Sequence, residues 1–234
     1  IKNLKKKKVL RRKKILIKIK KNLRKVKRKV SRIFMEKYYL EIPTIERKDE
    51  AVDYVNEFLI NKSNTNGVGG LDRFLGEGKS YEEWLDFVIK CQEKSYAEQI
   101  NIVPGITYFT VRESDNKIVG MVNFRFYLKG KLLKIGGHIG YGIRPTERRK
   151  GLAKIQLYLT LLAAQKIGLD KVMIDCTDTN IGSKKTIEAL DGKLSETVID
   201  NEETYLNYWI NVNDSIKKYK PIYEEYIKID KEVK

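Results

Sequence analysis

The chain has 234 residues, with 48 Lys and Arg against 31 Asp and Glu, for a formal net charge of +17. Hydrophobic residues at 41% and aromatics at 10% exclude a disordered polypeptide, and the length is enough to bury a core without disulfides or metal. Two cysteines, Cys91 and Cys176, exclude a disulfide framework and point to a reducing, cytoplasmic compartment. The charge is unevenly spread. Residues 1–34 hold 18 basic and no acidic side chains, leaving 30 basic against 31 acidic residues and a net charge of −1 for the rest. A function assigned to the whole chain from its overall charge would therefore be misplaced.

The basic arm, residues 1–34, places Leu16, Ile19, Leu23, Val26, Val30 and Ile33 at alternating steps of three and four, a narrow stripe on one helical face. Such a helix suits a nucleic acid, an anionic membrane or a partner. The arm contains no apolar run approaching the roughly 18 residues of a transmembrane segment. Lys18 interrupts the only signal-like run. Two plainer readings stand beside these: a solvated charge run, and an over-extended gene boundary. The chain starts with Ile, and its first Met is Met35, directly before the globular pattern. The expected organisation is arm 1–34, domain 35–212 and a charged, helical C-terminal tail 213–234.

Along the domain, residues 38–42 read as a strand stopped by Pro43. Residues 47–61 read as a helix, residues 61–70 as an Asn/Ser/Gly loop, and residues 80–95 as a helix capped by Ser80 with Glu82 and Glu83 in its first turn. A hairpin is expected from 106–113 and 117–126, then a strand at 135–143 and a helix at 151–167. A buried strand at 171–177, a short helix at 181–190 and a second hairpin from 193–199 and 204–212 complete the pattern. Helices interleave with a mixed sheet in one α/β domain.

Arg148, Arg149 and Lys150 precede Gly151, Leu152 and Ala153 at the start of the helix that follows a strand. Free N–H groups of a first helical turn, reinforced by three cations, make an anion site suited to a phosphate or diphosphate. The preceding strand carries Gly136, Gly137, Gly140 and Gly142, which predicts a bulge with backbone groups left open to an extended ligand.

On these residues the sequence resembles the GNAT acetyltransferase superfamily. Arg148, Gly151 and Ala153 match its coenzyme A loop, Arg/Gln-x-x-Gly-x-Gly/Ala. The run Ile139-Gly140-Tyr141-Gly142-Ile143-Arg144-Pro145 looks like its fourth strand, and Asn180 with Ser183 matches its Asn-x-x-Ala/Ser. The sequence looks most like a bacterial group of predicted acetyltransferases. The resemblance implies a mixed, mostly antiparallel sheet of six to seven strands flanked by helices, with parallel, splayed fourth and fifth strands. It implies an acetyl-CoA-dependent N-acetyltransferase acting on a primary amine of a small molecule or protein. Arg149, Lys150, Gly151, Leu152 and Ala153 would hold the diphosphate and Tyr141, Gly142 and Ile143 the pantetheine, with Asn180 near the gap; no metal is implied.

The family often places a Glu early in its fourth strand as base. Here the position is His138, the chain's only histidine, whose ordinary pKa near 6.5 suits that work. The family's usual acid, a Tyr seven residues after the Asn, is replaced by Ile187; Tyr141 or Tyr158 could substitute. Cys176 reads as a buried apolar cysteine rather than a nucleophile. Asn123, Arg125, Asp175 and Asp178 are candidates for binding the acceptor. Two other functions remain open: a non-catalytic coenzyme A-binding module, which the missing Tyr permits, and a nucleic-acid or ribosome-associated protein targeted by the arm. A homodimer through the last hairpin and tail is a further expectation.

Overall fold

The structure, a computed structural model, describes residues 36–228. The basic arm lies outside the described residues. Four strands form one antiparallel sheet in the order β1 (Tyr38–Glu41), β2 (Gly105–Arg112), β3 (Lys117–Arg125), β4 (Ile139–Ile143). Three more, β5 (Lys171–Thr177), β6 (Lys193–Asp200) and β7 (Glu203–Asn211), form a second antiparallel sheet in the order β5-β7-β6. The helices are α1 (Lys48–Ile60), α2 (Leu71–Gly76), α3 (Tyr81–Lys90), α4 (Lys94–Gln99), α5 (Leu152–Lys166), α6 (Ile181–Glu188) and α7 (Val212–Tyr223). The mixed α/β class and the seven strands agree with the expectation from sequence.

Two apolar layers cover the first sheet. Tyr54, Val55, Phe58 and Trp84 from α1 and α3 pack on Phe109, Val111, Ile118 and Met121. Leu157 and Leu161 of α5 pack with Val119, Val122 and Phe124 in the other layer. A register shift between Thr110 and Val111 offsets the alternation along β3, so that Ile118 shares a layer with Met121 and Val119 shares the other with Val122 and Phe124, as a bulge re-aims side chains along a strand. Helix α3 starts on a capping box. Ser80 Oγ accepts the Glu83 N–H at 3.2 Å, and the Glu83 carboxylate accepts the Ser80 N–H at 2.7 Å.

Three expectations are corrected. The helix read over 80–95 stops at Lys90, because the Cys91 carbonyl accepts the Gly105 N–H (3.0 Å), and α4 begins anew at Lys94. The strand read over 135–143 begins only at Ile139. Gly137 there has φ +50°, and a Cβ on it would lie 2.5 Å from the Met173 carbonyl, so the glycine serves a close approach of two chains. The helix expected over 213–234 is present as α7, but it packs against the domain instead of standing apart as a tail. Val212, Ser215 and Ile216 of α7 are buried, and Ile227 bridges to Tyr38. Among the described residues no helix is long and apolar enough to cross a membrane.

Candidate functional site

The single mixed sheet expected from the resemblance is two sheets, and the place where they part is the site. The His138 N–H donates to the Met173 carbonyl (2.8 Å), and the Met173 N–H donates to His138 Nδ1 (2.9 Å). Beyond this staple no ladder joins β4 to β5. A cleft of about 2000 Å³ is lined by Gly140–Ile143 on one side and by Asp175, Cys176 and Thr177 on the other. That exceeds the roughly 300–1,000 Å³ of an ordinary small-molecule pocket and leaves room for two reactants.

The open edge of β4 follows from its register. Arg125 N–H donates to the His138 carbonyl and Arg144 N–H to the Val119 carbonyl, so the even-numbered residues pair with β3. In an antiparallel ladder the alternate residues then turn their N–H and C=O groups the other way. Ile139, Tyr141 and Ile143 thus face the cleft with their main chain. Of their carbonyls, that of Ile143 is taken by Arg148 Nε at 3.1 Å.

The expected anion site lies at the mouth. Arg149 (φ +65°) and Gly151 (φ +84°) both adopt the left-handed conformation ahead of α5. At Gly151 an added Cβ would meet no atom within 4 Å, so the positive φ and not crowding is what favours glycine. Among the described residues, the N–H groups of Arg149, Lys150, Gly151, Leu152 and Ala153 donate to no carbonyl elsewhere in the chain. Arg149, Gly151, Leu152, Ala153 and Lys154 line the cleft. A left-handed turn leading into a helix N-terminus is an anion-binding arrangement.

The three cations divide their roles, which the sequence did not foretell. Arg148 is a clamp: besides Ile143 it holds Ser63 Oγ (2.8 Å) and covers the Phe58 ring. Lys150 pairs with the buried Glu147 at 2.8 Å and does not line the cleft. Burial raises the Glu147 carboxyl, but hydrogen bonds from Lys150 and Arg112 and their charges outweigh it and hold it down to about 2. Arg149 alone of the three is left to face an anion, joined by Lys154, a residue sequence reasoning missed. Its place one turn into the helix, three residues after Gly151, was the available signal.

Deeper in, the Tyr141 hydroxyl and Ser183 Oγ share a hydrogen bond of 2.9 Å. Burial pushes the Tyr141 phenol well above its usual range. Asn180 caps α6, its Oδ1 accepting the Ser183 N–H at 3.0 Å. Cys176 lines the cleft with its thiol raised to about 11 by burial, as a non-nucleophilic cysteine should be. Asn123, Arg125 and Asp175 also line the cleft. Asp178 does not: it is exposed beyond the end of β5. Tyr158 is no candidate acid, because it is buried against Tyr223 on the α7 side. Ile187 is fully buried in the core.

His138 is corrected as a base. It is 6% exposed and does not line the cleft. Nδ1 is occupied by the Met173 N–H, so the neutral ring carries its proton on Nε2 and has no lone pair to offer. Burial, and then the Arg125 charge, lower its pKa to about 4. We expect His138→Ala to leave the shape of the pH–rate profile unchanged and to lower the melting temperature, since it removes a bond between the sheets. A profile that loses an ionisation near neutrality would restore His138 as base.

Two sheets parting at His138, with an anion-accepting turn at the mouth of the gap, make a fold shared with solved acetyltransferases. Residues 80–191 match the family model described as "Acetyltransferase (GNAT) family". No curated protein is similar enough in sequence to count as a relative. Among solved structures, the Microcin C7 self immunity acetyltransferase MccE, in complex with acetyl-CoA and AMP, is similar at 17% identity and a TM-score of 0.54. That match covers 75% of this chain and 92% of that one. Mycobacterium smegmatis RimJ, in complex with CoA-disulfide, is similar at 13% identity and a TM-score of 0.53, over 78% of this chain and 87% of that one. At such identities the likeness is one of fold.

Proposed function

We propose that the protein transfers the acetyl group of acetyl-CoA to a primary amine. The observation that carries this reading is one continuous cleft joining a helix N-terminus with unused N–H groups, an unpaired strand edge, and a half-buried phenol at the parting of the sheets. The turn from Arg149 to Ala153 receives the diphosphate. Ile139, Tyr141 and Ile143, rather than Gly142, offer main-chain groups to the amide-bearing arm, and the Asn180 side-chain amide and Ser183 lie beside it. The thioester then rests between β4 and β5.

The neutral amine attacks the thioester carbonyl, the carbon–sulfur bond breaks, and the thiolate takes a proton. Tyr141 is the donor this arrangement favours, because burial keeps it protonated and Ser183 orients it. The amine proton leaves through water, which returns the phenol to its starting state. A thiol-release assay over an amine panel tests the reading. Turnover should fall about 100-fold in Tyr141→Phe, the low end of a general-acid contribution, with the KM for acetyl-CoA unchanged. Coenzyme binding without turnover on any amine would sink the transferase and favour a coenzyme-binding module. The buried Ile187, standing where the family has its acid, is the observation behind that second reading. Two buried unpaired thiols, Cys91 and Cys176, support a cytoplasmic setting.

A further inference from the structure

Arg125 is the cation of the inner cleft that the proposed acetyl transfer does not use. It stands on β3 beside His138, where the sheets part, and lines the cleft. Its Nη1 donates to the Gly136 and Gly137 carbonyls at 2.8 and 3.0 Å, which fixes the plane of the guanidinium. Nε and Nη2 have no partner among the described residues, and no carboxylate lies within 4.0 Å of the group. Burial costs this charge part of its hydration, and Asp175 is the one charge acting on it. A half-buried guanidinium anchored by one nitrogen, with its remaining donors directed at a cleft, is a receptor for a planar oxyanion.

The charge count narrows the ligand. Of the charged groups along the cleft, Asp175 on β5 is the one that acts on Arg125; Lys131 is paired with Asp200 at 2.8 Å, and Glu203 already accepts the Tyr205 hydroxyl at 2.5 Å. A single positive and a single negative group across a gap complement a zwitterion. A phosphate dianion would leave a net negative charge beside Asp175. We infer that the acceptor is an amine that also carries a carboxylate, of the amino-acid class, with the carboxylate on Arg125 and the ammonium held toward Asp175 before it loses its proton. This rests on the acetyl-transfer reading and adds the substrate class to it.

The test pairs amino acids with their decarboxylated amines, lysine with cadaverine and methionine with 3-(methylthio)propylamine among them. Each is read by thiol release and by thermal stabilisation of the coenzyme A-loaded protein. We expect kcat/KM at least 30-fold higher for carboxylated members, and a stabilisation that decarboxylated members lack. Arg125→Gln should erase both preferences and leave the KM for acetyl-CoA unchanged. Turnover that ignores or disfavours the carboxylate overturns the inference and leaves acetyl transfer standing. If no amine turns over, the transfer reading fails. The thermal arm still decides: carboxylate-dependent stabilisation lost in Arg125→Gln supports the assignment, and its absence overturns it. Because the wild-type comparison needs no variant, a destabilised Arg125→Gln does not weaken the test.

Discussion

Gly151→Glu is expected to weaken coenzyme A binding at least 100-fold while the domain stays folded. Two effects combine. Gly151 has φ +84°, and a residue with a Cβ there costs about 1–2 kcal/mol of backbone strain, which the fold tolerates. The added carboxylate is the decisive part. It stands beside the N–H groups of Leu152 and Ala153, competes for them, and repels a diphosphate at the positive end of α5. A 100-fold loss corresponds to about 2.7 kcal/mol. Gly151→Ala separates the two effects, since it brings the strain without the charge, and should cost less than tenfold. Calorimetric titration with coenzyme A, with a melting curve for each variant, checks both. Unchanged affinity in Gly151→Glu would refute the placement of the diphosphate.

The largest expected effect on stability is at Arg144, immediately after β4. Its side chain is 3% exposed and holds four partners: the Ile118 carbonyl at 3.0 Å, Asp53 at 2.6 Å, Glu57 at 2.9 Å and the Glu50 carbonyl at 3.4 Å. It also lies over the Tyr54 ring. The Asp53 side chain is largely exposed and adds little, whereas Glu57 is mostly buried. Arg144→Met leaves the Glu57 carboxylate without its cation. Removing one partner of a buried pair costs about 3–5 kcal/mol. For a domain of this size that lowers the melting temperature by roughly 10 °C. Glu57 also accepts the Thr146 N–H at 2.7 Å, two residues before Arg148. The loss should therefore loosen the coenzyme turn as well. Adding Glu57→Gln should recover part of the stability, because the stranded charge is gone. A single variant within about 1 kcal/mol of wild type would mean that this network does not hold the strand end.

Legibility in the sequence varied with the range of the interactions involved. The β5 strand was read at its observed bounds, since an apolar run ending at a turn is a local signal. The Ser80 cap and the helix after Gly151 were legible for the same reason. Helix α2 was missed: six residues carry too little periodicity, and it is held by contacts outside itself, with Trp84 Nε1 donating to the Gly69 carbonyl at 3.1 Å. At the site, the coenzyme turn was legible because its residues are contiguous. The role of His138 was not, since it depends on Met173, 35 positions away. Lys150 was misjudged for a different reason. Glu147 was visible three residues earlier, but only burial by Arg112 and the first sheet makes it a fixed anion that claims the lysine.

The opening charge of +17 belongs to residues 1–34, and the sequence alone established that the remainder is near neutral. It also established the order of the strands, the glycine turn ahead of a helix and the absence of the usual tyrosine at Ile187. These are one-dimensional properties, decided by composition and by neighbours a few residues apart. The tertiary structure decided which charges are available to a ligand. Arg148 and Lys150 are committed to partners, Arg149 faces the mouth, and Arg125, one of four acceptor candidates in the sequence, has two donors left over at the parting of the sheets. A side chain's chemistry depends on which of its polar atoms are already paired, and that pairing is made across the fold.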